Sequence, residues 1–367
     1  MLTLPRVVAA LVAIAAFGCQ ALPTPSPGDA TTSPSVPAVS ASPSASHPAL
    51  TRPPIPSRPP ATPSPVLPTG GIAEAPISGR FDHSAVWTGT LMLVWGGATG
   101  LAHEPAADGA AYDPIADTWS VIPTGPLSPR SDHVAVWTGE EMLVWGGLDG
   151  DREALLDGAA YDPGSGTWRS IADAPPGAPS YAAAVWTGNE FVAWGIIGEQ
   201  EPSGVAYDPA TDTWRQLAPP SSIGRSTSSA VWTGREMLIW AGGLQLDDGV
   251  GYDPQAGSWR PIPAAPIVGR SDSAAVWDGD QMIVWGGIAS GQWAWSDGAE
   301  YSPSEDHWGR LDPAPLVGRF GHSAIWTGAE MLIWGGLNGY DREPLTRGVA
   351  YYRYGVIWRG NLDLPNY

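Results

Sequence analysis

The sequence predicts an all-β protein, a six-bladed β-propeller of four-stranded antiparallel blades, and three observations carry that reading. Six units of 45–50 residues repeat between Arg80 and Tyr367. Each unit carries the same aromatic landmarks at constant spacing. The repeats lack the periodicity of roughly 3.6 residues that marks an amphipathic helix.

The chain divides into three parts. Residues 1–19 read as an export signal: Arg6 supplies positive charge, Val7 to Phe17 are almost wholly apolar, and Gly18-Cys19 follow. That apolar run is shorter than the roughly 20 residues a permanent helical span needs. Cys19 is the only cysteine, so it has no disulfide partner. Ala16-Phe17-Gly18-Cys19 resembles the lipobox of bacterial lipoproteins, which implies acylation of Cys19 and a place in the bacterial cell envelope. The alternative is an ordinary secretory signal and a freely secreted protein. Residues 20–71 are dominated by Pro, Ser, Ala and Thr and have no aromatic residue. Such a segment buries too little apolar surface to offset its ordering entropy, so it reads as a disordered spacer. Residues 72–367 are assigned to the propeller.

Within the repeats, a first Trp ends each opening strand, at Trp87, Trp137, Trp186, Trp232, Trp277 and Trp326. A second follows eight residues later, from Trp95 to Trp334. A Tyr such as Tyr112 comes next, and a third Trp lies seven residues beyond it, at Trp119 in the first unit. Unit one shows the four strands. His83–Trp87 is the first, and Thr88-Gly89 turns the chain where Gly accepts positive φ. Met92–Trp95 is the second and ends at Gly96-Gly97. The third runs into Tyr112, whose Asp113-Pro114 opens a turn, and the fourth begins at Trp119. Continuous apolar runs such as Met142–Trp145 predict strands covered on both faces, as stacked blades require. Eighteen of the 20 Trp residues occupy these landmarks, which marks them as core. One buried aromatic removes about 150–250 Å² from water, roughly 4–6 kcal/mol at about 25 cal/mol per Å².

An Arg opening the first strand, a double Gly ending the second, then Tyr and Trp at fixed separation: this pattern resembles the kelch repeat of β-propellers, over residues 80–367. Unit three departs from it, with Pro179 for the Arg and Gly195-Ile196 for the double Gly, and Ala241-Gly242-Gly243 shifts the pair in unit four.

Length varies only between second and third strands, so the loops after Gly97, Gly147, Gly242, Gly287 and Gly336 are the expected recognition elements. In an up-and-down blade they share a face with the links between blades. The opening residues Arg80, Arg130, Arg225, Arg270 and Arg319 begin there, with Asp82, Asp132, Asp272, His83, His133 and His322 close behind. The Arg residues read either as scaffold, each tying its loop to a neighbouring blade through carbonyls, or as a ring of guanidinium donors for carboxylates or an acidic sugar. The loops add Trp293 and Trp295, which the repeat does not explain, together with Tyr340 and Arg342. These nine residues form the candidate ligand site.

A formal charge of −19, with all 18 basic residues Arg, opposes nucleic acid. No nucleophile–base pair or complete metal-ligand set is visible, so no catalytic residue, metal or cofactor is assigned. Galactose oxidase shares the resemblance, but its copper site needs a cysteine-linked tyrosine and the repeats contain no cysteine. The expected function is a monomeric cell-surface module that binds a protein or glycan through the loop face and meets the membrane only through a lipid anchor. The alternatives are sugar-modifying chemistry of the sialic-acid mutarotase kind and a purely structural scaffold.

Overall fold

The repeated units fold as the spacing predicts. A computed structural model describes residues 72–197, 201–218, 225–243, 246–289, 294–312, 316–338, 344–345, 348–352 and 357–359. The expected export signal and spacer, 1–19 and 20–71, lie outside the described residues. Six four-stranded antiparallel sheets occur among those described. In the first, Ser84–Trp87, Met92–Trp95, Gly109–Asp113 and Thr118–Ile122 pair in chain order. The last repeats the plan with Ser323–Trp326, Glu330–Trp334, Gly348–Tyr352 and Ile357–Arg359. Each first strand lies beside the first strands of both neighbouring blades, and the sixth returns to the first. The ring is closed around a central axis.

Packing follows from the pattern. Met92–Trp95 and its counterparts are buried along their whole length, because adjacent blades cover both faces of each sheet. The second-strand Trp residues are at most 1% exposed. The outer Trp residues hold neighbouring blades together: Trp168 Nε1 donates to Pro123 O at 2.8 Å, and Trp308 Nε1 to Pro263 O at 2.8 Å.

The first and last blades are joined by the segment before Arg80. Trp119 Nε1 donates to Ala73 O at 2.8 Å, as Trp168 does to Pro123. Ala73 N donates to Asp117 Oδ1 at 2.9 Å, as Ala172 N does to Asp212 in blade three. Ile72 packs against Gly348, just as Ile122 packs against Gly109 and Ile171 against Gly158. Ile72 therefore stands where the fourth strand of other blades ends, and residues 73–79 form the link that leads into the first blade. The sequence carries the signal: Ile72-Ala-Glu-Ala-Pro-Ile77 matches Ile262-Pro-Ala-Ala-Pro-Ile267.

Candidate functional site

The axial channel opens on two faces. One carries the variable loops and the links between blades; the other carries the tight Thr-Gly hairpins. On the loop face the chain makes the same corner in most blades, and the opening Arg is its anchor. Arg80 donates to Gly96 O at 2.9 Å and to Asp108 Oδ1 at 2.9 Å. Arg130 does the same with Gly146 O and Asp157, Arg225 with Ala241 O and Asp248, and Arg270 with Gly286 O and Asp297. Arg319 reaches Gly335 O at 3.2 Å. The five Arg residues are between 0% and 6% exposed.

This placement corrects the expectation of a guanidinium ring open to a ligand: burial and internal acceptors engage these groups. The tie lies within each Arg's own blade, to the end of the second strand and the start of the third. Contact to the neighbouring blade runs through the backbone instead, where Gly97 N donates to Arg130 O at 2.9 Å and Gly336 N to Arg80 O at 2.9 Å. Gly97 sits at φ +92°, and a Cβ there would lie 2.6 Å from His83 Cβ. The pairing was legible as an Asp before the third-strand Gly. Unit three lacks both partners, having Pro179 and Ser203.

Two residues beyond each Arg the chain enters the left-handed region. Asp82, Asp132 and Asp272 have φ of 52°, 56° and 54°, and Thr227 has 48°. Asp is among the few residues that tolerate this conformation. The turn aims each N–H at the preceding blade: Asp132 N donates to Asp82 O at 3.0 Å, Asp82 N to Gly321 O at 2.8 Å, Gly321 N to Asp272 O at 3.0 Å, and Asp272 N to Thr227 O at 3.2 Å. These bonds lace five blades around the axis. Blade three continues as strand at Tyr181 instead.

The side chains of this lacework line a recess of about 140 Å³ at the channel mouth. Asp82, Asp132, Asp272, Tyr181, Thr227, Ser228 and Ser273 all contribute to its wall. Ser131 Oγ donates to Asp132 Oδ2 at 2.9 Å, and Ser271 Oγ to Asp272 Oδ2 at 2.8 Å. Arg152, on the loop of blade two, donates to Tyr181 Oη at 3.3 Å and attracts Asp132 and Asp82 electrostatically.

Burial raises all three carboxyls, and carboxylate repulsion adds to it at Asp82 and Asp272. Burial pushes Asp272 up to about 6, with the charge of Asp132 adding to it and the Ser271 and Thr227 hydroxyls opposing it. Burial and then the charges of Asp132 and Asp272 hold Asp82 well above the ordinary range. Burial also raises Asp132. His83, His133 and His322 remain neutral at physiological pH, because burial and then the nearby Arg charges depress them, the latter two to about 3. They join blades: His83 Nε2 meets Ser323 Oγ at 2.9 Å, and His133 Nε2 meets Ser84 Oγ at 2.9 Å. Among the described residues, no three His, Cys, Asp or Glu side chains are arranged to hold one metal ion.

Asp272→Asn tests this electrostatic strain. Its folded-state pKa lies above the ordinary 3.8, so the folded state binds the extra proton. That contribution to stability is present below pH 4 and is lost as pH rises through about 6. The variant is expected to gain on the order of 1–3 kcal/mol at pH 7.5 and nothing at pH 4. Thermal midpoints that track the wild type at both pH values would contradict the assignment.

The loop candidates divide. Trp293, Tyr340 and Arg342 lie outside the described residues. Trp295 is half-buried, with Arg270 Cζ 5.1 Å from its ring centroid, so it packs as a lid on a scaffold Arg. Of the residues that line the mouth, Asp82, Asp132 and Asp272 had a signal in their common place two positions after the Arg, and Tyr181 stands at the equivalent place in unit three.

A closed ring of four-stranded sheets with an Arg-anchored corner in most blades defines a repeat β-propeller. Residues 82–287, more than half of the chain, match the family model described as the KLHDC2/KLHL20/DRC7 Kelch-repeats domain, and the chain belongs to that kelch-repeat family. Among solved structures it is similar to the one titled "Structure of YjhT", with a TM-score of 0.67 and 14% identity, over 79% of this chain and 99% of that one. At that identity the likeness is one of fold. No curated protein matches the chain.

Proposed function

We propose that the protein is a recognition module that binds the hydroxyl-rich end of a glycan at the channel mouth on its loop face. Kelch-repeat domains commonly mediate binding. The observation that carries the finer reading is the convergence of three carboxylates and several hydroxyls on one recess, with the exposed Arg152 attracted to two of those carboxylates. Carboxylates accept hydroxyl protons strongly, and a partly dehydrated recess strengthens each bond. Sugars present such donors in fixed arrays. The negative field, with the opening Arg residues internally engaged, favours neutral or amine-bearing sugars over acidic ones.

A glycan array probed with wild type and with Asp132→Asn/Asp272→Asn tests the proposal. At least about a tenfold loss of affinity for neutral or amino sugars is expected in the double variant, equivalent to about 1.4 kcal/mol. Unchanged binding, or preference for acidic sugars, would sink it.

The raised Asp272 supports a second reading, since a carboxyl titrating near 6 can exchange protons with a bound sugar near neutral pH. Accelerated anomer exchange by NMR, lost in Asp272→Asn, is its expected result. Undetectable exchange at high protein concentration would remove it.

The proposal extends to location: an exported module held at the envelope by an acylated Cys19. Mass spectrometry of the mature N-terminus is expected to show a diacyl- or triacyl-modified Cys19. An unmodified terminus beyond that residue would refute the anchor.

A further inference from the structure

The hairpin-face mouth of the channel differs chemically from the loop-face mouth. Alternation along each first strand directs every second residue to the axis. Ala85 and its five equivalents, all Ala, form one layer, and Trp87 and its five equivalents form the next. The six Trp residues and five of the Ala residues line an open depression of about 270 Å³. The sequence pattern marks these Trp residues as core, yet all six are partly exposed. Other Trp indoles reach carbonyls, as Trp145 Nε1 does to Leu156 O at 3.1 Å and Trp119 Nε1 to Ala73 O at 2.8 Å. Among the described residues, none of the six first-strand indoles has a protein acceptor, and none of their nitrogens is sealed from solvent.

A recess of about 610 Å³ includes Trp137 and lies along blades one and two. Thr88, Thr90 and Leu91 line it from blade one, and Glu140, Glu141 and Asp162 from blade two. Arg169 engages Glu141 at 2.6 Å. Glu140 is exposed, and Asp162 accepts only turn hydrogen bonds, from Gly164 N at 2.7 Å and Ser165. The surface thus combines aromatic faces at the axis with carboxylates outward, on a chain of net charge −19.

We propose that this surface docks an arginine-bearing segment of a protein partner. Charge complementarity selects the occupant. A guanidinium stacks on an indole face while its edge donors reach a carboxylate, and its aliphatic stem covers apolar surface. Partly exposed Trp residues on a rigid framework are the usual anchors of such contacts. The site is independent of the glycan mouth, since it uses the other end of the channel.

The test is calorimetric titration of the full chain with hexa-arginine and with hexa-citrulline, its neutral isostere. Two charge-matched double variants accompany it: Glu140→Gln/Asp162→Asn in the groove, and Asp149→Asn/Glu153→Gln on the loop face. The groove variant is expected to weaken hexa-arginine binding at least about tenfold, the loop-face variant less than about twofold, and hexa-citrulline should not bind. Trp137→Phe should weaken binding while leaving the thermal midpoint within a few degrees. Equal losses in the two double variants would show only general attraction of a polycation to an acidic protein. That result, unchanged binding in the groove variant, or tight hexa-citrulline binding overturns the proposal.

Discussion

Replacing Arg130 by Ala is expected to destabilise the protein by about 3–5 kcal/mol, the cost typical of breaking a buried charged network. Its guanidinium is 0% exposed and donates to Ser128 O at 3.1 Å, Gly146 O at 3.1 Å and both oxygens of Asp157, at 2.9 and 3.0 Å. Removing it strands Gly146 O beneath the loop and leaves a cavity that the constant blade spacing prevents from collapsing. Arg130→Lys should recover little, because an ammonium cannot span the carbonyl and the carboxylate with a rigid fork. Asp157 is 44% exposed, so Asp157→Asn should cost less than the Arg substitution. Urea unfolding of the three variants checks the order. An Arg130→Ala loss below about 1 kcal/mol would show that the corner contributes little to stability.

The second large effect concerns ring closure. Ile72 and Ile77 are each 7% exposed and pack in the core between the last and first blades. Ile72→Ser/Ile77→Ser is expected to cost about 3–6 kcal/mol, taking roughly 1.5–3 kcal/mol for each buried aliphatic side chain. The loss should be local before it is global. Hydrogen exchange should accelerate first in Ser84–Trp87 of blade one and Ser323–Trp326 of blade six, the first strands on either side of the seam. The first strands of blades three and four, remote from it, should keep their protection. Uniform acceleration around the ring would mean that the segment stabilises the whole fold rather than its seam.

Much of the fold was legible because six copies of one pattern average out local noise. Fixed separations locate each strand within a residue or two: the expected first strand His83–Trp87 is Ser84–Trp87, and the fourth strand begins at Thr118. The candidate site was less legible. An Arg at a loop opening has one appearance whether it serves a ligand or a carbonyl. Only the partners, Gly96 O and Asp108 for Arg80, distinguish the two. Asp82, Asp132 and Asp272 share a place two positions after the opening Arg, yet within its own unit each is an ordinary turn residue. Their significance arises when the ring sets them around one recess, where burial raises all three and carboxylate repulsion adds to it at Asp82 and Asp272.

The sequence by itself determined the all-β class, the repeated four-strand unit, the invariance of its frame and the face that bears the variable loops. Those properties depend on residue type and spacing within a unit of 45–50 residues. Tertiary structure alone decided three others: that the opening Arg residues are scaffold, that the acidic mouth is the recess on the loop face, and that the first-strand Trp residues reach solvent at the opposite mouth. Each depends on contacts between units or on convergence at the common axis. One unit read alone cannot express what its five neighbours place beside it.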